Sequence, residues 1–213
     1  MSNVRGVTLA LDASTYDGTV AVLRDGRVAT EDTIAMRGER QERLLPAVAA
    51  TLDAAGAAPQ DVQRIVCGEG PGSFTSLRIA ASIAKGLASA ITVPVYGVSS
   101  LVLAAVDAGP GRWLVTLDAM RGDVHAAGYA WNGETLEEIV AQRLAPSGDA
   151  LSIAKMAQCE LIQGRPHARA VEPILLAVIA GGPVDLASWE PSYGRNAEAQ
   201  VKWEAAHGRP LVL

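Results

Sequence analysis

The chain has 213 residues, nearly half of them apolar and 19% charged, with a formal net charge of −5. That length supports one large domain or two lobes of about a hundred residues each, and the acidic balance argues against unaided grip on nucleic acid, whose phosphates need a basic surface. No window of eighteen apolar residues and no basic region leading into an apolar run occurs, so neither a membrane span nor a signal peptide is expected and a cytoplasmic protein is.

In chain order, a first strand ends in Leu11-Asp12-Ala13, and Asp25-Gly26 joins Thr19–Arg24 to Arg27–Ile34 as a hairpin. A helix is predicted at about 40–56, with Pro46 in its first turn or making a kink. Its Leu45, Val48, Leu52 and Ala55 fall at spacings of 3, 4 and 3, a stripe widened by Leu44 and Ala49. A strand at 64–67 then enters Gly68-Glu69-Gly70-Pro71-Gly72, a turn that only small or φ-restricted residues tolerate. The helix that follows, capped by Ser73 or Thr75, is apolar nearly all round. Leu77, Ala80, Ala84 and Leu87 form one stripe; Ile79, Ile83 and Gly86 form another. One stripe must cover the lobe's own sheet. Either both are core, or the second meets another protein whose helix approaches closely over small residues such as Ala80, Ser82, Ala84 and Gly86.

A strand at 93–98 and a helix at about 99–108 complete an alternating strand–helix half. The second half opens on a strand ending in Leu117-Asp118-Ala119, and Asn132-Gly133 joins Val124–Trp131 to Thr135–Val140. Asp12 and Asp118 stand 106 residues apart, about half the chain. The expectation is an α/β fold of two duplicated lobes, mixed sheets flanked by helices, divided at 1–108 and 109–213 with the second lobe reduced. Ser147–Gln158 reads as a helix, Glu160–Gln163 as a strand, and Pro173–Ala180 as an apolar segment of unassigned type. A last helix at about 197–207 is free to pack back on the first lobe.

The chemistry is sparse. His125, His167 and His207 include no pair four residues apart on a helix, so no metal site is expected. Ser14, Thr15 and Gly18 suit a phosphate cradle, but the later lobe offers only Gly181-Gly182-Pro183, a common turn, so ATP should bind weakly or not at all. The loop at 68–73 lacks the Gly-Lys-Ser/Thr of a P-loop, though Gly70, Gly72 and Ser73 at a helix N-terminus fit a weak anion contact. Ser73 lies outside Gly-x-Ser-x-Gly, which favours a helix cap over a nucleophile served by His125. Asp12 and Asp118 are either catalytic carboxylates or turn starters. Cys67 and Cys159 read as buried reduced thiols. No catalytic residue is assigned.

The stretch Gly70-Pro71-Gly72-Ser73-Phe74-Thr75-Ser76-Leu77-Arg78-Ile79 resembles the signature of the TsaB (YeaZ) family, which serves synthesis of threonylcarbamoyladenosine beside the tRNA anticodon. Other segments agree in order: Leu9–Ser14, Glu39 with Arg43–Pro46, Pro94–Ser99, Leu117–Ala119 with Gly122–Val124, and Glu190–Arg195. The resemblance implies the actin/sugar-kinase/Hsp70 fold and pairing through the two apolar helices, with a TsaD-like catalytic subunit or, in isolation, with a second copy. Leu45, Val48, Leu52, Leu77, Ala80, Ile83, Ala84 and Leu87 are then the expected partner surface. It also implies a scaffold role, assembly with a TsaE-like small ATPase, and tRNA contact only through the complex. The metal motif of the catalytic paralogue, His-x-x-x-His, falls on Ser100 and Ala104, so metal and ATP would reside in the partners. Glu69, Ser76 and Arg40 depart from residues common in the family. The rival expectation is a stand-alone enzyme of the same fold, a peptidase-like hydrolase or an ATP-dependent transferase.

Overall fold

The structure, a computed structural model, describes residues 4–36, 42–194 and 206–207. Period-two alternation builds the first sheet. In β1 (Val7–Asp12) Leu9 and Leu11 face one side and Ala10 the other. β2 (Asp17–Arg24) repeats this with Val20 and Val22 against Ala21 and Leu23. With β3 (Arg27–Ala35), β4 (Val62–Gly68) and β5 (Val95–Val98) the order is β3-β2-β1-β4-β5, antiparallel up to β1 and parallel from β1 to β5. Helices α1 (Leu44–Ala54) and α2 (Phe74–Ile91) cover one face of the sheet. Each fully buried Leu or Val in that layer contributes about 1.5–3 kcal/mol.

The second sheet holds β6 (Gly111–Asp118), β7 (Asp123–Trp131), β8 (Leu136–Pro146) and β9 (Glu160–Gln163) in the order β8-β7-β6-β9. Its pairings repeat the first four positions of the other sheet: two antiparallel, then one parallel. Among the described residues this sheet has four strands, with none in the place of β5. Helix α3 (Ser100–Asp107) lies between the sheets, giving Leu103 and Val106 to the first and Leu101, Ala104 and Ala105 to the second. Helix α4 (Ala150–Met156) covers the outer face of the second sheet through Ala154.

Three local expectations change. The second hairpin turns one residue later than Asn132-Gly133: Asn132 N donates to Thr135 O at 3.3 Å, leaving Gly133 (φ 95°) and Glu134 as the central pair. The Asn132 side chain closes the turn, its Oδ1 accepting from Glu134 N at 2.8 Å and from Thr135 N at 2.7 Å. Pro173–Ala180 belongs to α5 (Val171–Ala180), with Pro173 in the first turn, where its missing N–H costs nothing. This helix leaves the second sheet and packs Val171, Ile174 and Leu175 on the first, beside α3. Cys67 is buried, but Cys159 is half-exposed; both are free. The helix expected at about 197–207 lies outside the described residues apart from Ala206 and His207, as do Glu39, Arg40 and Arg195. Among the described residues no helix is long and apolar enough to cross a membrane.

Candidate functional site

The glycine-rich loop between β4 and α2 is built around Asp12. A Cβ on Gly68 would fall 1.9 Å from Asp12 Oδ2, so only glycine fits under that carboxylate. Asp12, 1% exposed, accepts from Ser14 N at 2.9 Å, from Ser14 Oγ at 2.7 Å and from the Ser100 hydroxyl. Burial pushes its carboxyl above the ordinary range although these bonds pull the other way. Ser100 then closes the loop: its Oγ accepts from Gly70 N at 3.1 Å and its N donates to Gly70 O at 2.8 Å. Ser73 N donates to Ser14 O at 2.7 Å, and a Cβ on Gly72 would sit 2.0 Å from that oxygen. The amides of Gly70 and Ser73 are therefore used inside the protein. Where an anion contact at Gly70, Gly72 and Ser73 is expected, the loop is a clasp joining β4, α3 and the turn after β1.

Ser73 does hold the N-cap position of α2, yet its hydroxyl meets Ser76 Oγ at 3.0 Å and makes no cap bond. Helix α1 is capped by Glu42, whose carboxylate accepts from Leu44 N and from Leu45 N at 3.1 Å. Sequence reading misses this cap because Glu lies outside the usual N-cap set and one place before the formal cap.

The expected partner surface divides. Val48, Leu52, Leu77, Ala80 and Ala84 are no more than 2% exposed and belong to the lobe's own core. Val48, Leu52, Ala80 and Ala84 form the stripe that covers the sheet and Leu77 packs under the glycine loop at Gly70, which corrects their assignment to a docking surface. Leu87 is half-buried against the same core. Leu45, 46% exposed, and the half-buried Ile79 and Ile83 stay accessible and line a groove of about 410 Å³ between α1 and α2. Glu42, Arg78 and Ser82 border it and Phe74 closes one end. One turn along from Ser82, the exposed Gly86 has nothing within 4 Å of where a Cβ would stand.

A larger cleft of about 1320 Å³ separates the lobes, lined by the turns after β1 and β6 and by the first turn of α2. Tyr16 crosses it, its hydroxyl donating to Asp118 Oδ2 at 3.2 Å. Asp12 and Asp118 thus part company: one is locked in the core, the other stands on the cleft wall, its Oδ1 accepting from Met120 N at 2.8 Å. His125 is 3% exposed and lies under Gly194, where a Cβ would fall 2.4 Å from its ring. The positions matching the paralogue's metal motif are filled. Ser100 is tied to Asp12, and Ala104 packs on Gly164, whose added Cβ would lie 2.9 Å away. Among the described residues no three His, Cys, Asp or Glu side chains gather as a metal site.

Comparison with known proteins follows this geometry. The family model described as "TsaD: tRNA N6-adenosine threonylcarbamoyltransferase" matches residues 35–176. The chain is 33% identical to the tRNA threonylcarbamoyladenosine biosynthesis protein TsaB of Escherichia coli, over 94% of this chain and 98% of that one. It is 29% identical to the Bacillus subtilis protein of the same name, over 92% and 96%. Among solved structures, YeaZ from Pseudomonas aeruginosa superposes with a TM-score of 0.74 at 28% identity, covering 88% of this chain and 99% of the other.

Proposed function

The chain belongs to the TsaB (YeaZ) family, and we propose on that premise that it is a non-catalytic subunit in forming N6-threonylcarbamoyladenosine on tRNA. It binds a TsaD-like catalytic subunit through the exposed half of the α1–α2 pair and holds that subunit in a competent state. A second copy takes the same groove when the chain is alone. A TsaE-like small ATPase joins the assembled pair, and tRNA is met only through the complex, as the net charge of −5 favours.

Gly86 carries the docking reading. A glycine inside an exposed helix costs about 0.5–1 kcal/mol relative to alanine. Nothing in the described chain fills the space its missing side chain leaves. A partner helix packed at close range supplies the reason, since axes approach most closely over small residues. The non-catalytic reading is supported by Asp12 being tied off and by Ser100 and Ala104 being core residues, so metal and ATP fall to the partners.

Gly86→Ala tests this directly. The free chain should gain about 0.5–1 kcal/mol of stability, while its affinity for the TsaD-like subunit of the same genome, measured by calorimetry, should fall. Unchanged affinity would remove Gly86 from the interface. Turnover of ATP or peptide by the purified chain alone would favour the stand-alone enzyme instead.

A further inference from the structure

The chain beyond α5 does something no local pattern announces. Helix α5 ends on the α3 side of the first sheet, and the segment after it crosses to the other side along the outer edge of β5, where Val184 N donates to Val95 O at 2.8 Å. There Val184, Leu186 and Trp189 join the core under α1 and α2. Trp189 Nε1–H donates to Glu69 Oε2 at 3.1 Å, and Ser192 N donates to Glu69 O at 2.7 Å. Ser192 O lies so close to Gly70 that a Cβ there would come within 2.4 Å. The segment is thus bonded twice to Glu69 of the glycine loop, lies against Gly70, and packs the Tyr193 ring 4.4 Å from that of Phe74. The Arg78 guanidinium lies 5.4 Å over the other ring of the pair.

We propose that residues 184–194 are a strap that positions the first turn of α2, and that Tyr193 extends the docking face beyond the two helices. This rests on the docking reading above. Phe74 is 37% exposed and stands where the α1–α2 groove meets the inter-lobe cleft. An exposed ring at that place swings freely unless something holds it. The Tyr193 ring, tilted 45° to it, and the Arg78 guanidinium fix it, as aromatic and cation–π pairs do. The result is a rigid aromatic end to a groove whose remaining walls are Leu45, Ile79 and Ile83. Glu69 explains itself in the same way. Its carboxylate is the acceptor that holds the strap's Trp189, a use that a basic residue at 69 does not provide.

The test uses the full chain and the purified TsaD-like subunit. Tyr193→Ala should weaken their association about three- to tenfold, the range of one lost aromatic pair, while the free chain still melts cooperatively and no more than about 2–5 °C lower. Tyr193→Phe should restore it, because the ring and not the hydroxyl acts. Glu69→Leu, which removes the acceptor for Trp189, should weaken binding similarly, with Glu69→Gln rescuing it. Leu45→Glu serves as the control on the groove itself and should abolish binding. If Leu45→Glu binds normally, the docking reading fails and this inference falls with it. If Leu45→Glu abolishes binding while Tyr193→Ala binds like the parent chain, the strap's role alone is overturned. A Tyr193→Ala chain that loses its cooperative melt, or a Tyr193→Phe chain as weak as Tyr193→Ala, would also overturn it.

Discussion

A carboxylate at the end of a strand is ordinarily solvated, yet Asp12 is 1% exposed and shared among Ser14 and Ser100. Its bonds hold together the end of β1, the glycine loop and the N-terminus of α3, so the group that looks most available for chemistry serves as a joint. Desolvation raises its folded pKa above the ordinary 3.8, outweighing the hydrogen bonds from Ser100 and Ser14. A raised folded value means the folded chain holds this proton more firmly than the unfolded one does. The contribution is complete below about pH 3.8 and is lost as pH rises through the folded value. Asp12→Asn removes the charge, keeps an acceptor for Ser14, and points an amide at the second lone pair of Ser100 Oγ. Denaturant titration at about pH 8 should find it at least as stable as the parent, and the advantage should vanish in acid. Asp12→Ala should cost about 2–4 kcal/mol, because two hydroxyls and one amide lose their acceptor. An Asn variant as weak as the Ala variant would mean that the charge itself is needed.

At the scale of elements, the two helices separate what is core from what is offered to a partner. Val48 and Ala84 face the sheet at 1% and 0% exposure, whereas Leu45 and Ile83 line the groove. A glutamate at Val48 or Ala84 buries an unpaired charge and should unfold the first lobe. A glutamate at Leu45 stays hydrated in the free chain, and one at Ile83, half-buried against the core, costs some stability without unfolding the lobe, so cooperative melting should survive while association is lost, as sedimentation would show. Equal damage from both pairs would place the groove inside the core. The sequence made the strands and hairpins legible because alternation and Asp-Gly turns act locally; β9 is found at its predicted residues, 160–163. It left the helix faces ambiguous for a physical reason. Two apolar stripes on one helix satisfy the same periodicity, and only the position of the sheet decides which is covered. The strap at 184–194 has no period at all. Asp185 makes a local turn in it, accepting from Ala187 N, Ser188 Oγ and Trp189 N, but its path depends on Val95, Glu69 and Gly70, about ninety or more residues earlier. Ser100 and Ala104 were legible only as missing ligands; that they are core positions depends on how α3 sits between the sheets.

Across the whole molecule, the lobes are joined by a chain that goes out and comes back. After β9 it returns to the first sheet, and a set of polar contacts fastens the return. Ala168 N donates to Thr19 Oγ1 at 3.0 Å, and Arg169 reaches Asp107 at 2.9 Å and Glu31 at 3.2 Å. Glu172, at the start of α5, accepts from Val28 N at 2.7 Å and from Arg27 at 2.8 Å. The last of these is the most informative, because it ties α5 itself to β3, at the far edge of the sheet. Burial pushes the Glu172 carboxyl upward, but the Val28 amide and Arg27 pull harder, so its folded pKa lies below the ordinary 4.5. A depressed folded value means that this clasp contributes fully above about pH 4.5 and is lost as pH falls through the lower, folded value. Arg27 is largely exposed, which screens the ion pair, so the bond to the Val28 amide supplies most of the effect. Glu172→Ala should therefore cost about 1–2 kcal/mol at neutral pH, or a few degrees of melting temperature in a chain of this size. Glu172→Gln should cost less, since its amide oxygen still accepts from Val28. The gap between parent and Ala variant should narrow as pH falls below about 4.5, opposite in sense to the effect of Asp12→Asn. A gap that is the same in acid as at neutrality would show that α5 is held by Val171, Ile174 and Leu175 alone, with the clasp contributing nothing to the return of the chain.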